Sequence, residues 1–250
     1  MTLFGKKIPI VFSLVLWFVV WELIGRAKLT IIIPPVSSVI QAALLILPTE
    51  KFEAAAAISL RSFGIGMALA VVVGIPLGVV MARVRSISRV LGMWVNIFVS
   101  APISALVPLL MAVVGIGETT VVVTVFLFAV FVVILDTQVG VTRADRSLVE
   151  MARSFGARPY QLYTKVLILS ALPEILAGLR LGAIRGVKGV VIGQLLVSII
   201  GLGELFELYS SHFLMEEFWA LVIVVFLFAF AVSEAIGLLE RRVEYYASAR

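Results

Sequence analysis

Thr119–Leu135 reads TTVVVTVFLFAVFVVIL, a run without a single charged side chain. Two more uncharged runs precede it, Ser62–Ala82 and Val90–Gly117. A helix needs about 20 mainly apolar residues to cross the hydrocarbon core of a bilayer, and these three runs are of that kind. Towards the N-terminus, Ile8–Trp21 is shorter, but Leu23 and Ile24 extend it past Glu22. Towards the C-terminus, Phe218–Ser233 extends to Leu239 past Glu234. A sixth candidate, Ile175–Ile200, carries Arg180, Arg185 and Lys188 ahead of the uncharged Gly189–Gly203. The expected architecture is an all-α integral membrane protein with six spanning helices in one domain, 1–250. The spans fall at about 8–25, 59–82, 90–115, 119–136, 175–200 and 218–239.

Composition supports the same class. The chain of 250 residues is 62% hydrophobic and 14% charged, with a mean hydropathy of +1.18. Soluble domains carry about 25% charged residues, and a soluble chain this apolar would have too little polar surface to cover itself. A charge of +5 and a pI near 9.7 would suggest nucleic acid in a soluble protein. In a membrane protein the placement of the bases matters more, because cytoplasmic loops collect Lys and Arg. With both termini inside, the inner segments hold Lys6, Lys7, Arg83, Arg85, Arg89, Arg143, Arg146, Arg153, Arg158, Lys165, Arg241, Arg242 and Arg250. The outer segments hold only Arg26, Lys28, Lys51 and Arg61. That bias predicts cytoplasmic N- and C-termini. Lys6 and Lys7 ahead of an apolar run also suit a signal peptide, but no Ala-x-Ala-like site follows, so an uncleaved first helix is expected. The chain has no cysteine and one histidine, His212. Disulfides, thiolate metal sites and multi-histidine sites within one chain are therefore excluded, and His212 reads as solvated or capping.

Between the spans, Pro34-Pro35 stops the chain. Val36, Val39, Ile40, Ala43, Leu44 and Leu47 then recur at helical spacing, which fits either a helix at the outer interface or one packed on the bundle. Glu204–Glu217 is a second non-spanning segment, followed by Phe218-Trp219 as an interfacial anchor. Gly74 and Gly78 form a GxxxG pair around Pro76. Gly178, Gly182, Gly186, Gly189 and Gly193 fall within about 80° of arc at 100° per residue. Both stripes predict close helix packing. Arg180, Arg185 and Lys188 occupy a different arc, either snorkelling at the cytoplasmic interface or lining an aqueous path. Pro102 and Pro108 should bend or interrupt the third helix, as a pathway element or as a packing kink.

The longest loop, about 143–173, has its own punctuation. Leu148, Met151, Ala152 and Phe155 share one helical face. Gly156 is a natural helix stop, and Pro159 opens a second helix with Tyr160, Tyr163 and Val166 on one side. The pattern predicts two short amphipathic helices around a sharp turn, a rigid shape suited to docking into a groove on a partner.

At these residues the chain resembles the binding-protein-dependent ABC permeases. That family carries Glu-Ala-Ala, three residues, then Gly on its cytoplasmic loop. Here Glu150-Met151-Ala152 and Gly156 keep the spacing, with Met151 in place of the first alanine. Ala171–Arg180, Gly201-Leu202-Gly203 and the Pro102, Pro108, Gly115-Ile116-Gly117 stretch look like its sulfonate/nitrate/taurine branch. Leu169 stands where the family pattern has a proline, so a straighter exit from the docking helices is expected. Gln194 stands where the branch often has an acidic residue.

The resemblance implies a type I ABC importer-like fold with a cytoplasmic coupling loop, in a bacterial inner membrane. It implies an ATPase-docking site at Glu150, Met151, Ala152, Phe155, Gly156, Ala157, Pro159 and Tyr160. It also implies a homodimeric translocation pathway, with Pro102, Pro108, Arg180, Arg185, Lys188 and Gln194 as lining candidates. Two ATP-binding subunits and an extracytoplasmic substrate-binding protein would be partners, nucleic acid would not, and ATP and Mg would be bound by the ATPase. The chain has no G-x-x-x-x-G-K-[ST] phosphate loop and is expected to be a transport subunit rather than an enzyme. The implied solute is a small anion such as a sulfonate, nitrate or taurine, or a vitamin precursor. An ion-gradient-driven secondary transporter is the alternative, but such proteins place ionisable groups near the bilayer midplane, whereas Glu22, Asp136 and Glu234 lie towards span ends. A scaffold or enzyme finds no nucleophile–base pair or ligand cluster to support it.

Overall fold

The structure, a computed structural model, describes residues 2–3, 6–7, 10–28 and 30–248. Ile8, the expected start of the first span, and Arg250 lie outside the described residues. Thr2–Leu3 and Lys6–Lys7 form a two-residue antiparallel ladder; the other regular elements among the described residues are helical. The helices are α1 (Ile10–Arg26), α2 (Val36–Ile46), α3 (Glu50–Arg83), α4 (Arg85–Ser100), α5 (Val107–Val114), α6 (Glu118–Arg143), α7 (Arg146–Ser154), α8 (Pro159–Gln161), α9 (Ile168–Ser170), α10 (Leu172–Val197), α11 (Gly201–Ser211) and α12 (Met215–Ser248). A 3₁₀ turn (Ile103–Leu106) precedes α5, and a π-helical segment (Leu162–Leu167) joins α8 to α9.

The apolar run that opens the sequence analysis becomes the axis of the bundle. α6 is the most enclosed of the long apolar helices, with over half of its apolar stretch buried where α12 is mostly open. α3 lies parallel to it, with Gly66, Gly74 and Gly78 facing Val125, Val133 and Thr137. α10 lies antiparallel, with Gly178, Gly182, Gly189 and Gly193 facing Asp136, Val133, Val125 and Thr124. The two glycine stripes therefore pack onto one helix from two sides. Small side chains let the backbones approach, and in lipid that contact replaces the hydrophobic driving force. β-Branched residues fill the other half of each seam. Val121, Val125, Val133, Thr120 and Thr124 are fully buried, and each has few rotamers to lose.

Long helices α3, α6 and α12 are single spans by length and apolarity. α10 is joined to the Pro159–Ser170 segment through a 64° bend. The third span, expected over 90–115 with a bend or break at its prolines, is interrupted at Pro102. α4 starts earlier, at Arg85, and ends at Ser100, and the chain then turns by 93° into the Ile103–Val114 segment. The cause is Pro102. A residue before proline is pushed out of the α region, and Ala101 sits at φ −73°, ψ 147°. Pro108 does not interrupt anything. It occupies the first turn of α5, where no N–H is needed.

α3 begins at Glu50, nine residues before the expected start, because Thr49 caps it: the Phe52 N–H donates to Thr49 Oγ1 at 3.3 Å. At 1.5 Å per residue the 34 residues of α3 span about 50 Å, longer than a hydrocarbon core of about 30 Å. α10 stops at Val197 rather than at 200, where Ser198 takes a left-handed conformation (φ 55°).

One end of the bundle is closed by α2, α11 and the adjacent ends of α1, α3 and α12. Val36, Val39, Ala42 and Ile46 of α2 pack with Trp21, Leu205, Phe206 and Leu221. α2 is thus packed on the bundle, yet Ile40, Leu44 and Leu45 point outwards. It has two apolar faces, and the sequence pattern merged them. The α1–α2 corner is tied by polar contacts. The Ser37 N–H and Oγ–H both donate to Glu22, at 3.0 and 2.8 Å, so a side chain from α1 satisfies the start of α2. Indole N–H groups of Trp21 and Trp219 donate to the Pro34 and Ile32 carbonyls at 3.1 and 2.8 Å.

Candidate functional site

At the opposite end, the segment between α6 and α10 forms a compact projection. Asp145 opens α7, its Oδ1 accepting from the Ser147 N–H at 2.8 Å. α7 closes in a Schellman turn. The Gly156 N–H donates to Arg153 O at 2.9 Å, and the Ala157 N–H to Ala152 O at 3.0 Å, the paired bonds that satisfy the last carbonyls of a helix. Gly156 has φ +74°, the left-handed region where glycine alone escapes a Cβ penalty. Arg158 is extended, and its N–H donates to Gln161 Oε1 at 2.9 Å. Pro159 then starts α8.

These contacts make the turn rigid and leave its apolar side chains outside. Phe155 is 86% exposed, Tyr160 76% and Met151 52%, while Ala152 and Ala157 are half-buried beneath the turn. Glu150 and Pro159 are exposed beside them. The docking residues named from the sequence are therefore brought together on one projection, and the amphipathic face of α7 turns away from its own chain. Exposed aromatics at the polar end of a membrane protein have neither lipid nor core to cover them.

The projection is fastened to the bundle. Leu162 and Leu167 of the π segment are buried. Val141, Ala171 and Ile175 form a small core with Ile75, Val79, Ala82, Ile168 and Leu179, which joins α3, α6, α9 and α10. The Arg83 guanidinium lies 5.9 Å from the Tyr163 ring centroid, a cation–π contact from the end of α3. The exit is not straight. Leu169 sits in α9, and the 64° bend falls at Ala171 just before Pro173, so a turn is kept without a proline at 169.

The six pathway candidates do not converge. Pro102 and Pro108 are exposed on the broken third span. The Arg180 guanidinium donates to Ser233 Oγ at 3.1 Å and pairs with Glu234 at 3.3 Å and Glu240 at 3.6 Å, all on α12. Its charge is balanced, so it is not a free base. Arg185 is half-buried and Lys188 exposed on α10. Gln194 is 1% exposed and lies among protein groups: Ser59 Oγ is 2.9 Å from its Oε1 and accepts the Leu202 N–H at 3.1 Å.

Sequence reasoning missed the partners. Glu234 was legible only as a span-end acid and Glu240 was not singled out, although a base within a span calls for a counter-charge. Arg61 and Glu118 tie α3 to α6 through two hydrogen bonds, one of 2.7 Å from Arg61 Nε to Glu118 Oε1. No pattern in either helix signals that pairing. The contrast within the basic arc gives a testable result. Arg180→Ala should cost about 1–2 kcal/mol by leaving Glu240 without its base, while Glu234 keeps Arg241 at 3.7 Å, and Lys188→Ala less than about 0.5 kcal/mol. Thermal unfolding in detergent reads both, and equal losses would contradict the assignment of Arg180 to a structural pair.

Comparison with known proteins agrees with this architecture. Residues 74–245 match the family described as binding-protein-dependent transport system inner membrane component. A protein of Methanocaldococcus jannaschii described as an ABC transporter permease is 30% identical over 228 residues, covering 89% of this chain and 85% of its own. The taurine transport system permease protein TauC of Escherichia coli is 27% identical over 237 residues, 92% of this chain and 86% of its own. Among solved structures, a chain of the inward-facing MetNI methionine ABC transporter superposes with a TM-score of 0.65 at 23% identity, covering 74% of this chain and 93% of that one. With long apolar helices built around α6 and a projection between α6 and α10, the chain belongs to the binding-protein-dependent transport system inner membrane components and is a permease component of an ABC transporter of the importer type.

Proposed function

We propose that two copies of this chain form the translocation pathway of an ATP-driven importer and that the α7–α8 projection of each seats in a groove on an ATP-binding subunit. The observation that carries this reading is the rigid, capped turn presenting Phe155, Tyr160 and Met151 outwards. Glu150, Ala152, Gly156, Ala157 and Pro159 shape the same surface. ATP and Mg would be bound by the partner, and an extracytoplasmic binding protein would deliver the solute to the end closed by α2 and α11. The termini and the projection then face the cytoplasm, as the distribution of Lys and Arg favours. Motion of the ATP-binding subunits would reach α3, α6 and α10 through the small core around Ala171.

The solute in this reading is a small anion such as a sulfonate, or a vitamin precursor taken by the same branch. Two observations support a solute with a sulfonate or similar anionic group: likeness to a taurine permease along most of the chain, and Arg185 and Lys188 on α10, which among the described residues have no hydrogen-bonded acid like that of Arg180. In proteoliposomes holding permease, ATP-binding subunits and binding protein, a sulfonate should be taken up with ATP. The Arg185→Gln, Lys188→Gln pair should slow uptake about tenfold, equivalent to about 1.4 kcal/mol of lost stabilisation. Uptake of a solute without an anionic group, indifferent to both changes, would sink this assignment while leaving the docking assignment standing.

A further inference from the structure

The rotation of α4 about its own axis is fixed by α6. The Phe98 ring stacks on Phe131 with centroids 4.9 Å apart, the Gln138 amide donates to Ser88 Oγ at 3.0 Å, and Val95 is buried. Those three residues mark the side that meets protein. Val90, Trp94 and Ile97 are exposed and apolar, as a lipid-facing side should be. A third side is neither. Arg85, Arg89, Asn96 and Ser100 are all exposed, and they fall within about 60° of arc at 100° per residue. This polar lane runs along about 22 Å of helix, and it belongs to one arm of the broken third span.

Lipid does not suit that side. Arg85 and Arg89 start the helix, and their long stems can carry the charge to the headgroups. Asn96 lies about 10 Å of helix rise beyond Arg89, its side chain is short, and its amide has two donors and an acceptor to satisfy. Hydrocarbon satisfies none of them. The break adds a second, independent demand. The Phe98 carbonyl loses its helical donor because the residue four positions on is Pro102, which has no N–H. Ala101 and Pro102 leave the helix, at ψ 147° and 83°. Non-helical backbone at membrane depth is tolerated only where protein buries it or where it lines a water-filled cavity. Ser100, Pro102 and Ser104 are exposed around the turn, so the chain's own residues do not bury it.

On the importer reading given above, we propose that this side of α4 lines the water-filled pathway, and that Asn96 and Ser100 are hydrogen-bonding contacts for the solute as it passes the break. Neutral donors hold the oxygens of a sulfonate or similar group without a fixed charge that would trap it, and passage requires binding weak enough to release. Arg85 and Arg89 then stand at the cytoplasmic mouth, where their charge draws an anion onward.

The chain has no cysteine, so single cysteines can be placed without removing any. Asn96→Cys and Ser100→Cys test the lane; Val90→Cys and Trp94→Cys test the lipid side of the same helix. Membrane vesicles of both orientations, from cells expressing the chain, are treated with a charged, membrane-impermeant methanethiosulfonate. The thiolate is the reacting form and forms only where water reaches, so the rate reports water at each position. Asn96→Cys and Ser100→Cys should react at least about tenfold faster than the two controls, in which lipid keeps the thiol protonated. In proteoliposomes with the ATP-binding subunits and binding protein, the modified Asn96→Cys chain should lose most of its sulfonate uptake, and the modified Trp94→Cys chain should keep it. Asn96→Leu, without any label, should slow uptake several-fold. Equal reaction rates on the two sides overturn the proposal, as does a fast reaction seen only after the complex is dissociated in detergent, because a second copy of the chain would then cover the lane. Undiminished uptake by Asn96→Leu removes Asn96 as a solute contact. Labelling needs neither ATPase nor solute, so a failed contrast strikes this inference alone. Absence of ATP-driven uptake by the cysteine-free chain strikes the importer reading instead.

Discussion

Gly78→Ala is expected to lower the stability of the bundle by about 1–3 kcal/mol, although alanine is the better helix former. The added Cβ would stand 2.6 Å from Thr137 Cβ and 2.7 Å from Ile134 O. The second neighbour is backbone, which cannot rotate away. The helices must separate, and the seam between α3 and α6 runs through Gly66 and Gly74 as well, so a shift at Gly78 loosens contacts along its length. The matched control is Gly64→Ala in the same helix. A Cβ there meets nothing within 4 Å, so only propensity acts, and that favours alanine by about 1 kcal/mol. Thermal unfolding in detergent, followed by the fluorescence of the four tryptophans, should move down for one variant and hold or rise for the other. Equal shifts would mean that α3 and α6 are not packed as described.

That pair of glycines also marks how far the sequence could be read. Gly74 and Gly78 fall on a GxxxG spacing, and the stripe on α10 falls on one arc, so close packing was legible from each helix alone. Their common partner was not, because Val125, Val133 and Thr137 look like any β-branched apolar run. The spans were legible as lengths of low charge, and Pro102 marked a break in the third, but not how sharp it is. Hydropathy averages across Ser100–Pro102, and the 93° turn depends on one pre-proline residue. α2 shows the same limit: Ile40 and Leu44 are as apolar as Val39 and Ile46, and periodicity cannot say which face meets protein. At the projection, Gly156 and Pro159 fix a turn by local chemistry alone, so the sequence was sufficient there. The basic arc was the converse. Arg180 finds its acids on α12, more than fifty residues away, and residue spacing along α10 carries no trace of them.

Phe155→Ala should separate the two roles a loop residue can have. The side chain is 86% exposed and contributes little to the fold of its own chain, so unfolding should change by less than about 0.5 kcal/mol. If α7–α8 docks as proposed, Phe155 is an aromatic anchor of the kind whose truncation costs 2 kcal/mol or more. At 1.4 kcal/mol per tenfold, association with the ATP-binding subunit should weaken about 30-fold. Transport-coupled hydrolysis should fall in parallel at subsaturating ATPase concentration and recover when the ATPase is in excess. Gly156→Val acts differently. A β-branched residue at φ +74° is disfavoured by about 1–2 kcal/mol or more, so the turn relaxes and Phe155 and Tyr160 no longer share one surface. Coupled hydrolysis should then stay low even with excess ATPase, since the projection has lost its shape rather than one contact. An unaltered association constant for Phe155→Ala, with the chain folded, would place the ATPase contact elsewhere on the cytoplasmic end. The small core at Ala171 would then have no projection to serve.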